Sequence, residues 1–419
     1  MLPQALKSPY LKAIGLLTGT QGIALLVPIL AAPILGRLYA PSEYAPLAIY
    51  MSLGSVLSAC ATWQMHQAII AEPNEKAAKG MVALCLFITI MSTLIAATLA
   101  VLLFVISAPW AEWQNVRGWL LFLPVTTLFG GITAAVINHA HKYARFAFFA
   151  WQNVALVCIT VTLSITLGLA GWSSTGLLVS YFVGQACVFA ATLFYASGQD
   201  LGLRENTRPR LRALFRRHQR FATFTLPSEL VSTVNLNMPL YALSYFGLVA
   251  PLGAFNRARQ LASVPFTVLG SSVGQVFRQR AARDLAQHGT CRPVFVKTAL
   301  TLAAIGLPVS LVLMLGAPLL FEIYLGPRWR LAGEIAQILA PMLCLRLVAS
   351  PLSAVYQLRG KQRTAFVVQC GAFAVLVAGI ILVSFLDAVQ ASTIVMWFSG
   401  VYFFVYALTI ALTYKFAVK

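Results

Sequence analysis

Twelve stretches of this sequence are long and apolar enough to form helices that cross a lipid bilayer. A transmembrane helix needs about 20 mainly apolar residues. Lipid offers backbone groups no hydrogen-bond partners, so a chain with many such stretches must be helical where it meets hydrocarbon. We therefore predict an all-α integral membrane protein with about 12 transmembrane helices. The stretches cover roughly 12–36, 44–70, 80–107, 117–139, 146–169, 175–197, 221–247, 249–276, 294–324, 333–357, 364–386 and 390–414.

The composition excludes the common soluble classes. Apolar residue types make up 59% of the 419 residues and charged types only 10%, whereas soluble domains carry roughly 25% charged residues. A soluble enzyme and a disordered tail are both excluded. The seven cysteines include no CxxC pair and lie mostly in apolar runs. This pattern is typical of reduced core residues rather than of a disulfide framework.

The positive charges indicate how the chain is oriented. The formal net charge is +19, and 23 of the 30 lysines and arginines fall in alternate loops on one side of the predicted spans. Cytoplasmic loops carry such an excess, so we predict a multi-pass protein with both termini in the cytoplasm. The cations then meet anionic membrane lipids rather than nucleic acid. Tryptophans at the predicted outer ends, among them Trp329, are typical of an interfacial belt.

A basic segment divides the chain in the middle. It carries seven arginines between residues 198 and 220. We predict an N-terminal six-helix bundle over 1–200, a basic cytoplasmic linker over 201–220 and a C-terminal six-helix bundle over 221–419. The segments 45–50 (APLAIY) and 250–255 (APLGAF) echo each other across the halves. Two repeated halves with a site between them are a common plan of transporters.

Motifs for catalysis and cofactor binding are absent from the sequence. It has no GxxxxGK[ST] phosphate loop, and its eleven acidic residues form no DxD cluster. His139 and His141 are two positions apart, which is not the spacing of zinc ligands on a helix. We therefore predict no catalytic residues, no metal site and no cofactor, and a protein that is not an enzyme.

The eighth stretch carries two arginines within the membrane, where a charge is a functional hypothesis by default. Helical periodicity places Arg259 on a polar stripe with Asn256 and Gln260. This stripe is expected to line a cavity. Arg257 lies on the opposite, apolar face, where it either extends to the outer surface or joins the cavity. Pro265 removes a backbone hydrogen bond and is expected to kink this span.

Three more polar residues lie within spans. Arg346 is near the middle of the tenth stretch, on the same face as several small polar residues, and it either faces an anion or pairs with Glu229 or a carbonyl. Glu229, in the seventh stretch, either couples an ion to transport or pairs with an arginine. Asn235 lies further along the same stretch. Guanidinium groups suit phosphate and pyrophosphate, while amides and hydroxyls suit sugars. We therefore predict an amphiphilic, anionic substrate.

Several short motifs resemble those of bacterial polysaccharide flippases, the Wzx-type members of the multidrug/oligosaccharidyl-lipid/polysaccharide exporter superfamily. The first, 37–44 (RLYAPSEY), is similar to the RLYxPxxFG pattern after the first span of that family. It departs from the family in having Ala45 and Pro46 where glycine is frequent. The other motifs occur in the family's order: 72–77 (EPNEKA), 261–266 (LASVPF), 274–277 (GQVF), 326–333 (GPRWRLAG), 338–341 (ILAP), 350–352 (SPL) and 360–363 (GKQR).

The resemblance implies two six-helix bundles around a central cationic cavity, with alternating access. It implies transfer of undecaprenyl-pyrophosphate-linked oligosaccharide across the bacterial inner membrane for O-antigen, capsule or exopolysaccharide synthesis. The polysaccharide polymerase and the chain-length machinery are then candidate partners. Relatives such as the lipid II flippase carry cavity arginines near the start of span 8, which falls at 257–260 here. The alternatives are a drug antiporter of the same superfamily and a membrane enzyme of glycan assembly, such as a polymerase.

Overall fold

The computed structural model describes residues 9–106, 114–201, 208–385 and 389–418, and no strand occurs in these ranges. The predicted all-α fold is confirmed. The helices up to the basic segment are α1 (Pro9–Leu38), α2 (Pro41–Cys60), α3 (His66–Ala71), α4 (Glu75–Ile106), α5 (Gln114–Leu120), α6 (Leu123–Lys142), α7 (Ala147–Leu169), α8 (Ser174–Ser197) and α9 (Arg208–His218).

A short π-helical turn, Phe221–Thr225, leads into the remaining helices. These are α10 (Leu226–Tyr245), α11 (Val249–Ala262), α12 (Val264–His288), α13 (Arg292–Leu325), α14 (Arg330–Leu352), α15 (Ala354–Leu358), α16 (Gln362–Val383) and α17 (Ala391–Val418).

Within the described residues, nine helical segments are long and apolar enough to span a membrane. The chain is therefore a multi-pass membrane protein. The predicted spans outside this group are the second, seventh and eighth, which correspond to α2–α3, α10 and α11–α12. Each of them is interrupted or carries many polar residues. These three predicted spans are thus the least apolar ones, and two of them contain most of the predicted site residues.

Two of these spans are broken, one as predicted and one not. α11 ends at Ala262 and α12 restarts at Val264, with Pro265 in its first turn, which confirms the predicted kink. The continuous helix predicted over 44–70 is wrong, because α2 ends at Cys60. Beyond it, Trp63 and Gln64 adopt φ angles of 49° and 60°, a left-handed conformation that no α-helix can continue through.

The chain forms two compact units. Unit 1 comprises Met1–Tyr39 and Pro46–Thr233, and unit 2 comprises Ala40–Ala45 and Val234–Lys419. The first turn of α2 thus belongs to unit 2, although the chain before it and the chain after it belong to unit 1. The domain assignment of 1–200, 201–220 and 221–419 stays a prediction.

Unit 1 is held by close helix contacts typical of membrane proteins, where small residues let helices approach. α1 packs on α7, and the Tyr39 hydroxyl donates a 2.8 Å hydrogen bond to the Ser164 carbonyl. α4 packs on α6. At their contact, a Cβ on Gly131 would lie 2.5 Å from the Thr89 side chain. A larger residue at this glycine would therefore separate the two helices.

In unit 2 the central element is α14, which packs on α11, α12, α13 and α17. In the span that includes it, 67% of the most apolar segment is buried, against 22–33% in the other eight candidate spans. Its Gly333 lies directly against the backbone of α13, because a Cβ there would fall 2.4 Å from the Pro318 Cα. Residues on the inward face of α14 are therefore shielded from lipid.

Candidate substrate site

Arg259 is fixed to α10 by neutral oxygen atoms. Its Nη1 donates to the Leu236 carbonyl at 2.5 Å, and both Nη1 and Nη2 lie 3.4 Å from the Asn237 Oδ1. Its guanidinium carbon lies 5.6 Å from the centre of the Phe255 ring. These contacts orient the side chain, but a carbonyl and an amide do not neutralise its charge.

Arg346 lies on α14, close enough to Arg259 for the two positive charges to repel each other. Its charge also acts on Tyr402 and Tyr406 of α17. Within the described ranges neither arginine has an ion-pair partner. Two like charges held together without a counter-ion create a positive potential, which favours binding of a multiply charged anion.

Asn235 is fully buried and ties α10 to α16. Its Nδ2 donates to the Gln369 carbonyl at 3.0 Å and lies 3.3 Å from the Gln369 Oε1. The neighbouring residues Leu236 and Asn237 hold Arg259. Asn235 therefore fixes the segment that positions the arginine.

Arg257 is only 5% exposed, so its guanidinium does not extend to the protein surface. Its Nη1 donates to the Gln260 Oε1 at 2.9 Å. Its guanidinium carbon stands 4.8 Å from the centre of the Tyr44 ring. Among the described residues, its Nε and Nη2 have no hydrogen-bond partner, so Arg257 retains donors that an anion would satisfy.

Tyr44 connects Arg257 to a buried aromatic residue. It stands edge-on to Trp329, with ring centres 5.4 Å apart. Trp329 is 0% exposed, so its predicted place in an interfacial belt is wrong. Close contact at Gly253 seats the first turn of α2 on α11, because a Cβ there would lie 1.7 Å from the Pro41 carbonyl oxygen.

The predicted site residues thus lie in different surroundings. Arg259 and Arg346 are near enough for their charges to repel, and Arg257 donates a hydrogen bond to Gln260. Asn256 is half-buried on α11. Glu229 is exposed in the first turn of α10, belongs to unit 1 and forms no ion pair with any residue of the described ranges. The roles of all six residues and of Glu229 stay predictions.

The sequence pattern did not indicate Gln369, Tyr402 or Tyr406. Tyr402 and Tyr406 are one helical turn apart in an aromatic-rich helix, Ala391–Val418. In a membrane span, aromatic residues at this spacing are as typical of a lipid-facing surface as of a buried site. No group of three or more metal-ligating side chains occurs within the described residues.

The fold of this chain is similar to folds found among solved membrane transporters. The chain is similar to the lipid II flippase MurJ in an inward closed conformation, with a TM-score of 0.72, 12% identity and coverage of 96% of this chain and 87% of that one. It is similar to an inward-facing multidrug resistance MATE family transporter of the MOP superfamily, with a TM-score of 0.68, 14% identity and 93% coverage of both chains. At these identities the likeness concerns the fold alone.

The family follows from the sequence comparisons. The model of the family described as "Polysaccharide biosynthesis protein" matches residues 34–334, so the chain belongs to that family. The teichuronic acid biosynthesis protein TuaB of Bacillus subtilis (strain 168) is 25% identical over 146 residues. That match covers 35% of this chain and 30% of the relative. The resemblance to the exporter superfamily that the motifs indicated is confirmed.

Proposed function

We propose that this protein is a flippase for undecaprenyl-pyrophosphate-linked oligosaccharides. The observation that supports this most directly is the pair Arg259 and Arg346, two cations near enough for their charges to interact and without a carboxylate partner in the described residues. A pyrophosphate carries several negative charges within a few ångströms and satisfies two guanidinium groups at once. The membership of a polysaccharide biosynthesis family supports a glycan as the rest of the head group.

The proposed mechanism moves the head group and leaves the lipid tail in the bilayer. Arg259 and Arg346 neutralise the pyrophosphate, while the amides of Asn256 and Gln260 contribute polar contacts to the first sugars. The buried Asn235 acts indirectly, because it fixes the segment that positions Arg259. Alternating access of the two predicted bundles then exposes the site first to the cytoplasm and later to the opposite side. No covalent bond forms or breaks, so the protein acts as a transporter and not as an enzyme.

Arg257 has a second place in this proposal. Its Nε and Nη2 are buried here without a partner in the described residues, so they suit a phosphate oxygen at a stage of the transfer that opens the contact with Tyr44. Glu229 is exposed and is a candidate for coupling to an ion.

The proposed location is the bacterial inner membrane, with both termini in the cytoplasm. The product then serves O-antigen, capsule or exopolysaccharide synthesis. The polysaccharide polymerase and the chain-length machinery are its proposed partners.

The experiment uses a strain that lacks this gene. Undecaprenyl-linked intermediates are extracted, identified by mass and assigned to a leaflet by their accessibility to a periplasmic glycosidase. We expect complete repeat units on the cytoplasmic side, and rescue by the unmodified gene and by Arg278→Ala, whose side chain is exposed on α12. Arg259→Ala and Arg346→Ala are expected not to rescue.

Other outcomes identify the alternatives. Complete units that reach the periplasmic leaflet but stay unpolymerised would indicate a membrane enzyme of glycan assembly. No accumulation of lipid-linked units, together with altered drug sensitivity, would indicate an antiporter like the MATE transporters whose fold the chain shares. Rescue by Arg259→Ala at normal protein levels would contradict the role proposed for that residue.

A further inference from the structure

The helix α9 in the basic segment is attached to unit 1 by its apolar side. Leu214 is 7% exposed and belongs to a cluster of buried residues that includes Met65, Ile69 and Met81. Phe215 packs beside this cluster and stands edge-on to Trp63, with ring centres 6.2 Å apart. Because protein covers this face, α9 cannot bury it in lipid as a free amphipathic helix does.

Polar contacts fix the same helix at both ends. Near its start, the Arg210 Nη2 donates to the Lys76 carbonyl at 3.0 Å. At its end, the His218 Nε2 lies 2.9 Å from the Glu72 Oε2, and the Arg217 Nη1 lies 3.5 Å from the same oxygen. The Glu72 side chain is 0% exposed. The rotation of α9 about its axis is therefore set by contacts on several sides.

The remaining face carries a row of three arginines. Arg212, Arg216 and Arg220 are all exposed and follow one another at intervals of four residues. On a helix this interval places consecutive side chains one above the other, about 6 Å apart. Arg220 keeps right-handed helical angles, with φ −57° and ψ −29°, so the row continues past His218. In the part of the chain that the structure describes, none of the three has an acidic partner.

We propose that this arginine row, Arg212, Arg216 and Arg220, binds the phosphate groups of anionic phospholipids at the membrane surface. The charge is complementary, and the row is held rigidly on a protein that crosses the membrane many times. Clusters of basic residues next to membrane spans attract anionic lipids. Since the apolar face is occupied, the attraction is electrostatic and does not require insertion. The proposal rests on the membrane location and not on the substrate proposed above.

The test measures lipid binding by the purified full chain in a neutral detergent. The probes are dioctanoyl-phosphatidylglycerol and, for comparison, dioctanoyl-phosphatidylcholine. The triple variant R212Q/R216Q/R220Q is compared with R278Q/R280Q/R283Q, which removes three exposed arginines of α12 and so changes the net charge equally. The conservative variant R212K/R216K/R220K retains the charges.

We expect phosphatidylglycerol to bind the unmodified chain and the α12 variant with similar affinity. The row variant is expected to bind about 100-fold more weakly at low salt, from about a fivefold loss for each charge. The lysine variant should retain most of the affinity, and phosphatidylcholine should not bind. Because the three side chains are exposed, the row variant should unfold at an unchanged temperature.

Three outcomes would overturn the proposal. Equal losses in the two triple glutamine variants would mean that only net charge matters. Both lipids carry a phosphate, so equal binding would mean that the row does not recognise the net negative charge of the head group. Binding of farnesyl pyrophosphate that is lost with the row, together with no measurable binding of phosphatidylglycerol, would assign the row to an isoprenoid substrate instead of the bilayer. None of these results depends on whether the protein flips oligosaccharides.

Discussion

The Arg257 guanidinium lies 4.8 Å from the centre of the Tyr44 ring, and the same ring meets Trp329 edge-on. An arginine that is 5% exposed needs compensation for its lost hydration. The face of an aromatic ring supplies part of this, and a desolvated cation–π contact contributes about 2 kcal/mol.

Replacing the Tyr44 ring should therefore destabilise unit 2. Tyr44→Leu keeps an apolar side chain but removes the negative face of the ring, and we expect a loss of about 2 kcal/mol in the free energy of unfolding. Tyr44→Phe keeps the ring and should lose less. Thermal unfolding of the purified variants measures both. Equal losses would mean that the hydroxyl group, and not the ring, supports Arg257.

Arg346 and Arg259 should contribute to function and not to stability. Their charges repel, so Arg346→Ala removes an unfavourable interaction. We expect its unfolding temperature to be unchanged or higher, while glycan export in a complementation assay falls to the level of the deletion strain. Arg346→Lys should retain part of the export. A variant that unfolds at a much lower temperature would show that Arg346 is structural.

Gly253 should tolerate no side chain, because a Cβ there would lie 1.7 Å from the Pro41 carbonyl oxygen and 3.3 Å from the Ala45 amide nitrogen. Gly253→Ala must move the first turn of α2 away from α11 and with it the ring that covers Arg257. Overpacking of this kind costs about 1–3 kcal/mol. The control is Gly371→Ala, where a Cβ meets nothing within 4 Å. A control variant as unstable as Gly253→Ala would argue against the contact.

Ala144 offers a stabilising substitution. It is exposed and has a φ of 57°, a conformation that costs a residue with a Cβ about 1 kcal/mol or more. Ala144→Gly removes this strain and should raise the unfolding temperature by a few degrees. Ala144→Val adds a β-branched side chain at the same angle and should lower it. If both variants unfolded like the parent, the strain would not limit stability.

The packing of α9 on unit 1 should become less stable at acidic pH. Burial by itself raises the pKa of the Glu72 carboxyl, but the hydrogen bond with His218, the Asn74 amide and the charge of Arg217 together hold this pKa below its usual value. A lowered pKa stabilises the folded state above the pKa of the unfolded chain, and this contribution is lost as pH falls through the folded value.

We therefore expect trypsin to cleave α9 relatively faster as the pH is lowered below about 5. The digestion is carried out at each pH, and its rate is divided by that of an unstructured peptide substrate at the same pH to correct for the pH dependence of trypsin. Glu72→Gln should be cleaved readily at all pH values, because the carboxylate is absent. Glu75→Gln, which removes an exposed carboxylate, is the matched control and should behave like the parent. A pH effect that persists in Glu72→Gln would assign it to another group.

The sequence predicted the features that follow from single residues in an apolar background. Arg259 and Arg346 are conspicuous because a charge in a bilayer needs a partner or a polar cavity, and Pro265 interrupts a helix wherever it stands. The break after Cys60 could not be predicted, because left-handed angles at Trp63 and Gln64 are imposed by tertiary packing. Gln369, which binds Asn235 from 134 positions away, depends on which helices become neighbours.

The central position of α14 also bears on how the chain is synthesised. Arg346 at the middle of a helix opposes its entry into the bilayer by about 2.5–3.5 kcal/mol on the scale of the insertion machinery. Three of the helices that pack on α14, namely α11, α12 and α13, precede it in the chain, and α17 follows it. When α14 leaves the ribosome, three of the four helices named here as packing on it have already been synthesised. The order of helices in the gene thus lets α14 and its arginine enter the membrane after most of the helices that pack on it.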